Sequence, residues 1–449
     1  MQDLSVFLFR RDLRLSDNSG LIAAMHASKK VMPVFIVDPA LVANWSNANA
    51  RLSFLGSALK NLDHAIARHG GRLQVLQGNP AEVLSKLLHQ HKVDSVYTNR
   101  DYTPLARSRD KQLKTVSETM GVAFPSYGDQ LLNEPEAVTK ADGLPYTVFT
   151  PYFRRAKDHH IPTPTQEAQF NFGECEAGID FETSLLGPYL AHPTDPGMLS
   201  VDKALARINS LEDYDETKDL PGENGTSRLS ALLRFGLCSV REVYHSTLDS
   251  HSLSHGLIRQ LYWRDFYFQV GYHFPHVYKS AFRKKYDRLA WDHNPHAFKA
   301  WQQGETGFPI VDAGMRELLA TGYMHNRVRM IVASFLTKNL QIDWRKGERH
   351  FARYLIDFDP ALNNGNWQWG ASTGCDAQPY FRVFNPWRQQ LRFDKDCAYI
   401  KHWLPELRGQ TPRQIHALEK DDAGYRTKIV NLKSSSEKSK RRFKALADS

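Results

Sequence analysis

Along the first 130 positions, apolar residues gather in short runs at 5–9, 31–37, 73–76, 93–97 and 122–124. Runs this brief, bounded by polar stretches, predict buried strands. Between them the spacing changes: Leu52, Leu55, Leu59, Leu62 and Ile66 recur every three or four residues within 49–67, the stripe of a helix lying on a sheet. Strands alternating with helices predict an α/β fold, a doubly wound parallel sheet whose ligand crevice lies beyond the carboxyl ends of its strands. From 131 to 200 the periodicity fades and prolines accumulate (Pro135, Pro145, Pro151, Pro162, Pro164, Pro188, Pro193, Pro196), as in a connector. Helical spacing dominates afterwards, at 227–234, 257–272, 310–321 and 327–339. The expected organisation is an α/β domain over 1–130, a connector over 131–200 and an all-α domain over 201–449. The Lys/Ser/Arg-rich end, 433–449, reads as a frayed helix or solvated tail.

Composition acts mainly by exclusion. The 449 residues, 41% hydrophobic and 24% charged, suffice for two or three domains. No apolar run reaches 18 residues, so no membrane span is expected. Lys and Arg exceed Asp and Glu by 9 (58 against 49), a mild pointer to a polyanionic partner. Cys175, Cys238, Cys375 and Cys397 form no Cys-x-x-Cys pair, so neither a metal site nor a redox disulfide is expected, and a reducing compartment fits. Met1-Gln2-Asp3 lacks the basic flank of a signal peptide, which points to a cytoplasmic protein. A Gly-x-Gly-x-x-Gly motif is missing, against a dinucleotide dehydrogenase. Eight of the nine tryptophans lie beyond residue 260, which directs attention to the second half.

Several stretches there combine groups suited to chemistry. Gly225-Thr226-Ser227-Arg228-Leu229-Ser230 precedes a helical pattern, so its hydroxyls either cap the helix or leave its amides to a phosphate. Gln260-Leu261-Tyr262-Trp263-Arg264-Asp265-Phe266-Tyr267 sets aromatic faces beside an amide and a cation, as either a core helix or a platform for a flipped base. Asn326, Arg327, Arg329 and Met330 share about one turn, fitting a ligand face or a surface salt-bridge cluster. The run from Asp357 to Trp369, with 376–386, holds so many amides, carboxylates and tryptophans that a binding site is favoured over packing. Trp291, Trp344 and Trp367 fit either an aromatic core or an electron-hopping chain.

From Phe9-Arg10-Arg11-Asp12-Leu13-Arg14-Leu15-Ser16-Asp17-Asn18 to about Leu407, the chain resembles the photolyase/cryptochrome family. Trp301-Gln302-Gln303-Gly304-Glu305-Thr306-Gly307-Phe308-Pro309-Ile310-Val311-Asp312-Ala313, with 324–329, 363–369 and 379–386, is similar to its FAD-domain signatures. The resemblance implies a U-shaped FAD in the helical domain, active in its reduced anionic form. Tyr214, Thr226, Ser227, Arg228, Leu229 and Ser230 match cofactor contacts, Arg329 and Asp357 the ion pair over the isoalloxazine, and Phe358 and Asp359 the site's lining. Asn363 matches the residue facing flavin N5, an asparagine in photolyases. Gln260, Trp263, Asn326, Met330, Trp369 and Gln389 match the lesion pocket and its rim, Lys218 and Arg327 match DNA-backbone contacts, and Arg264 and Tyr267 accompany them on the DNA side. Trp367, Trp344 and Trp291 match the photoreduction triad, ordered from flavin to surface.

The implied activity is light-dependent splitting of cyclobutane pyrimidine dimers in DNA, by a monomer in the cytoplasm or on a prokaryotic nucleoid. Asn326 and Met330 stand where (6-4) photolyases carry histidines, whereas Gln260 replaces a frequent glutamate and is common in (6-4) enzymes. The alternatives are a cryptochrome-type blue-light photoreceptor, a (6-4) photoproduct photolyase and a single-strand-preferring enzyme of the DASH type. Leu105 and Ala106 occupy the positions of the Asn-Glu pair of folate-binding members. A deazaflavin or second flavin in the α/β domain is thus expected as antenna in preference to folate, with no antenna at all as the alternative.

Overall fold

Five strands form one parallel sheet: β1 (Gln2–Phe9), β2 (Ser28–Val37), β3 (Gln74–Gln77), β4 (Ser95–Asn99) and β5 (Ser126–Tyr127), in the order β3-β2-β1-β4-β5. This computed structural model describes residues 1–449 except 46–48, 168, 174–177, 179–180, 182, 191–195, 421–423 and 448–449. Helices α1 (Ser19–Ala27), α2 (Asn49–Ala67), α3 (Pro80–Gln90) and α4 (Pro104–Thr119) alternate with the strands. Val6 lies opposite Met32 on one side and Val96 on the other. The chain thus winds outward from β1 in one direction and then in the other, which opens a crevice beyond β1 and β4. The helix starts follow local chemistry: Asn18, Asn79 and Thr103 each accept a backbone N–H as N-caps of α1, α3 and α4.

The fifth strand falls later than the apolar run at 122–124 suggests. The chain does run beside β4 from Ala123, whose carbonyl accepts from Val96 N at 2.8 Å, and that of Pro125 accepts from Thr98 N at 3.2 Å. Pro125 has no N–H to return, so a regular strand begins only after it.

Further along lie α5 (Val240–Ser250), α6 (Gly256–His273), α7 (Pro309–Thr321) and α8 (Asn326–Ser334), the last continued by a π-helical turn, Phe335–Asn339. Then come α9 (Trp344–Tyr354), α10 (Pro360–Ala371), α11 (Pro386–Phe393) and α12 (Leu432–Ala447). Two compact units result: Met1–Pro145 with Tyr152–Ser210 and Ser227–Tyr272, and Tyr146–Pro151 with Leu211–Thr226 and His273–Ser449. Nearly all of α6 therefore belongs with the sheet, although its secondary structure matches the helical region.

In the first unit, buried charges tie the segments together. Arg14 bonds Asp129 at 2.7 Å, and Arg241 of α5 bonds Asp17 at 2.8 Å and Asp129 at 3.0 Å. Gly236, at φ +67°, lets the chain pass close by, since a Cβ there would sit 2.1 Å from the Arg11 carbonyl. Asp265 of α6 is buried and accepts from Asn133 N at 2.9 Å. Burial pushes its carboxyl up to about 7, against the pull of neighbouring Arg264. The unfolded carboxyl titrates near 3.8, so this group's contribution to stability is present below that pH and lost as pH rises through about 7. Asp265→Asn removes that slope. Denaturant midpoints measured from pH 4 to 8 should show parent and variant diverging by roughly 4 kcal/mol in the variant's favour; parallel curves would refute the burial of a protonated acid.

The second unit packs around Trp301, Phe308, Trp344 and Trp367. The C-terminal stretch, expected to fray, is instead a packed helix: Ser435, Ser439 and Phe443 of α12, four residues apart, are buried. Beneath it Lys338 donates to Ala371 O at 3.0 Å and Ser372 Oγ at 2.9 Å, with its Nζ 3.7 Å from the Phe443 ring centroid. Cys238, Cys375 and Cys397 are buried and unbridged, and Cys175 lies outside the described residues. Among the described residues no helix is long and apolar enough to cross a membrane.

Candidate functional site

In the second unit the beginning of α8 reaches the segment just before α10. Arg329 donates to Asp357 Oδ1 at 3.1 Å and Oδ2 at 2.8 Å, and through Nε to Met324 O at 2.7 Å. The Tyr323 ring centroid lies 5.5 Å from its guanidinium carbon, so this cation also has an aromatic face beside it. Burial works against the Arg329 charge, but Asp357 outweighs it and holds the guanidinium above its ordinary pKa. Asp359 serves the backbone instead. Its Oδ1 accepts from Ala361 N at 2.9 Å and Leu362 N at 3.1 Å, capping α10 with Pro360 in the first turn. Phe358 is half-buried between them.

Asn363, buried on α10, donates from Nδ2 to Glu348 of α9, at 3.0 Å to Oε1 and 3.1 Å to the backbone carbonyl. Burial raises the Glu348 carboxyl while the Asn363 bond opposes the rise. Sequence reading missed Glu348, since no motif links two positions 15 residues apart on separate helices. Tyr214 is buried, its phenol pushed up by burial, and Lys218 lies 5.5 Å from its ring centroid while pairing with Asp215.

The loop before the helix Ser230–Phe235 settles one alternative. That helix is capped by Leu229, which has no side-chain cap bond, and Arg228 at φ +54° keeps the preceding residues out of the helix. The helix begins at 230, not 227, and its start is not closed by a hydroxyl cap. Thr226 and Ser227 are half-buried, Arg228 and Ser230 exposed, and Leu229 is buried, so Leu229 has only its backbone to offer a ligand.

These donors fit a flavin nucleotide. Within the second unit, a cation fixed by acceptors on two segments and an amide fixed by a carboxylate are what an anionic ring requires. Asn363→Leu removes the donor that restrains Glu348, so that carboxyl should rise further and the flavin redox state accumulating in light should change. An unaltered absorption spectrum under illumination would detach Asn363 from the flavin.

On α6 in the first unit, Gln260 is exposed and Trp263 half-buried, its ring 5.6 Å from both Phe266, edge-on, and Tyr267, tilted by 31°. Arg264 and Tyr267 differ from expectation. Arg264 is buried, donates to Gln130 O at 2.5 Å and packs 4.9 Å from the Phe268 ring, and Tyr267 is buried behind Trp263. Both support the helix and are withdrawn from a solvent-facing DNA surface. On α8 in the second unit, Asn326 is exposed, Met330 half-buried, and Nδ2 lies 3.9 Å from Sδ. Arg327 pairs with Asp219 at 2.6 Å and packs 4.2 Å from the Phe393 ring. Arg327 and Lys218 thus already hold acidic partners, Asp219 and Asp215, with which a phosphate must compete; neither aspartate was anticipated. Trp369 and Gln389 are half-buried, and Gln389 Oε1 is buried without a partner.

Trp367 is buried with its ring 5.0 Å from Phe351 and 6.1 Å from Trp301, and so close to α9 that a Cβ on Gly347 would lie 2.2 Å from it. Trp344 is equally buried, under Arg345, whereas Trp291 is half-buried. Of the three only Trp291 is partly exposed, and Trp367 and Trp344 serve as core.

Two family models match the chain: "DNA photolyase" over residues 5–169 and "FAD binding domain of DNA photolyase" over 257–445. It is 38% identical over 456 residues to a deoxyribodipyrimidine photo-lyase of Synechococcus sp., covering 95% of this chain and 93% of that one. Among solved structures it is similar to an archaeal photolyase from Sulfolobus tokodaii that contains two FAD molecules, described as implying a novel light-harvesting cofactor. That match has a TM-score of 0.90 and 38% identity, over 98% of this chain and 100% of that one. A cryptochrome from Synechocystis sp. matches with a TM-score of 0.86 and 27% identity, over 98% and 99%.

Proposed function

The chain belongs to the DNA photolyase family and binds FAD, and from that premise we propose that it is a light-dependent repair enzyme for cyclobutane pyrimidine dimers in DNA. The observation that carries the lesion choice is the Asn326–Met330 contact at 3.9 Å on α8. Neither side chain can shuttle a proton near neutral pH, whereas the resemblance assigns (6-4) repair a histidine at each position. When bound and reduced, FAD supplies photoinduced electron donation to the dimer and recovery of the electron after the ring splits.

The chain's own residues supply the rest. Trp263 and Trp369 offer aromatic faces to the extruded lesion, and flipping is least costly where a base pair is already damaged. The Gln260 amide donates to the pyrimidine carbonyl without needing a protonated carboxyl. Arg329 keeps a fixed positive charge at the flavin, and Glu348 orients Asn363. Lys218, Arg327 and Gln389 meet the DNA backbone and the lesion rim, so affinity falls with salt and depends little on sequence. Thr226, Ser227, Arg228, Ser230, Tyr214 and the Leu229 backbone hold the cofactor's phosphates and sugar.

Trp291, Trp344 and Trp367 form a path for an electron from surface to interior. Trp344→Phe should slow photoreduction of the oxidised protein severalfold while leaving repair by pre-reduced protein nearly intact. Loss of both together would overturn this assignment. For the antenna we favour a deazaflavin or second flavin in the crevice beyond β1 and β4, where Leu105 stands 68% exposed in place of a polar folate contact. The working form is a monomer in the cytoplasm, associated with the nucleoid in a prokaryote.

The deciding experiment is blue-light repair of an oligonucleotide carrying one thymine dimer by reduced protein, with a dark control and a (6-4) oligonucleotide in parallel. Light-dependent restoration of the dimer substrate alone is expected. Bound FAD with repair of neither would favour a photoreceptor, the reading that the likeness to the cryptochrome keeps in view.

A further inference from the structure

Helix α8 holds Asn326, Arg327, Arg329 and Met330 within its first two turns. Where the helix starts therefore fixes where these four point. Its first backbone N–H groups have no partner inside the helix and need an acceptor in front of it, a part that Ser, Thr, Asp or Asn ordinarily plays. Here a histidine plays it. His325, at φ −57° and ψ 137°, stands just outside the helix, and its Nδ1 accepts from Arg327 N at 3.2 Å.

That bond fixes the state of the ring. A backbone amide only donates, so Nδ1 is unprotonated and the proton of the neutral imidazole sits on Nε2. The same residue holds α8 through its backbone as well: its carbonyl accepts from Arg329 N at 3.0 Å, while the adjoining Met324 carbonyl accepts from the Arg329 guanidinium at 2.7 Å. One short segment thus sets both the first turn and the cation paired with Asp357.

The cap is itself held from behind. His325 is only 5% exposed, and its own N–H donates to Glu317 Oε2 of α7 at 3.2 Å. The Tyr399 hydroxyl donates to the same oxygen at 2.5 Å. Tyr399 is buried on the helix Ala398–Trp403, and its backbone N–H donates at 3.0 Å to Asp394, which directly follows α11. One residue earlier, the Phe393 ring centroid lies 4.2 Å from the Arg327 guanidinium carbon. Burial and the Glu317 carboxylate both push the Tyr399 phenol well up, so it stays a donor at neutral pH. Three helices therefore converge on the start of α8.

We propose that His325, backed by Glu317 and Tyr399, is a positioning residue for repair: its imidazole cap fixes the first turn of α8, and with it the placement of Asn326 and Met330 that distinguishes damaged from undamaged DNA. The link to the lesion rests on the repair function proposed above, whereas the cap itself is tested without DNA. His325→Asn keeps a side-chain acceptor in front of the helix, and His325→Leu fills the space without one. In FAD-loaded protein, hydrogen exchange of the amides at 326–328 should be roughly 2- to 30-fold faster in the leucine variant and near parental in the asparagine one. Fluorescence anisotropy should show the preference for thymine-dimer over undamaged duplex falling by a similar factor in His325→Leu and restored in His325→Asn. Tyr399→Phe, a smaller change, should lose part of it and keeps the test decisive if the leucine protein does not fold. Parental exchange and preference in His325→Leu, or in Tyr399→Phe, overturn the proposal. So does an asparagine protein that fails like the leucine one, which would make the imidazole a packing group only. Exchange as expected in a parent that does not prefer dimer DNA would instead overturn the repair reading and leave the cap standing.

Discussion

Trp263→Ala is expected to weaken binding of thymine-dimer DNA by roughly 5- to 150-fold while hardly changing the affinity for undamaged duplex. A base stacked on an aromatic side chain is worth about 1–3 kcal/mol, and each 1.4 kcal/mol is a factor of about ten. The ring is set before DNA arrives: Phe266 packs edge-on and Tyr267 lies tilted beside it, each 5.6 Å away. Little side-chain freedom is then lost on binding, so the effect should approach the upper half of that range. Undamaged DNA is held mainly through its phosphates and does not draw on this ring. Trp263→Phe should recover part of the loss. Fluorescence anisotropy with both DNAs distinguishes the cases, and equal weakening on both would mean that the indole only supports α6.

The largest effect on stability is expected at Asp129. Its carboxylate is fully buried and bonds Arg14 and Arg241 at 2.7 and 3.0 Å. Asp129→Asn leaves both guanidinium groups short of a counter-charge in a buried setting, and breaking such a pair costs about 3–5 kcal/mol. Burial alone would raise the Asp129 carboxyl, but Arg14 and Arg241 outweigh it and hold it below its ordinary value. Its contribution is therefore complete above the unfolded value of 3.8 and is lost as pH falls through the lower folded one. Denaturation followed by circular dichroism at pH 7 and pH 3 should show a large gap between parent and variant at the first and a smaller one at the second. A gap below about 1 kcal/mol at pH 7 would mean that solvent reaches this network.

The two predictions differ in what made them available. Trp263 stands out in the sequence because an indole beside Gln260 and Arg264 suits a base, and the family resemblance turned that alternative into an expectation. The Asp129 network could not be read that way, since Arg14, Asp17, Asp129 and Arg241 are joined across as many as 224 positions. The same contrast recurs elsewhere. The α2 stripe needed only its own spacing, and the helix was found where that spacing placed it. Ser435, Ser439 and Phe443 follow an equally regular spacing, but serines and one phenylalanine among lysines declare a buried face only when Lys338 and Asn339 lie beneath them.

By itself, then, the sequence determined the alternation of strands and helices, the ordered motifs that mark the family, and the residue types on which flavin and DNA chemistry draw. These properties are local: periodicity, turn chemistry and motif spacing each act within a few residues. Only the tertiary structure decided which of these side chains already hold a partner. Arg264 is buried against Gln130 and Phe268, Arg327 is paired with Asp219, Asp359 caps α10, and Asn363 is oriented by Glu348. A side chain's availability depends on the neighbours that desolvate it or satisfy its hydrogen bonds, and those neighbours come from parts of the chain that no local pattern connects.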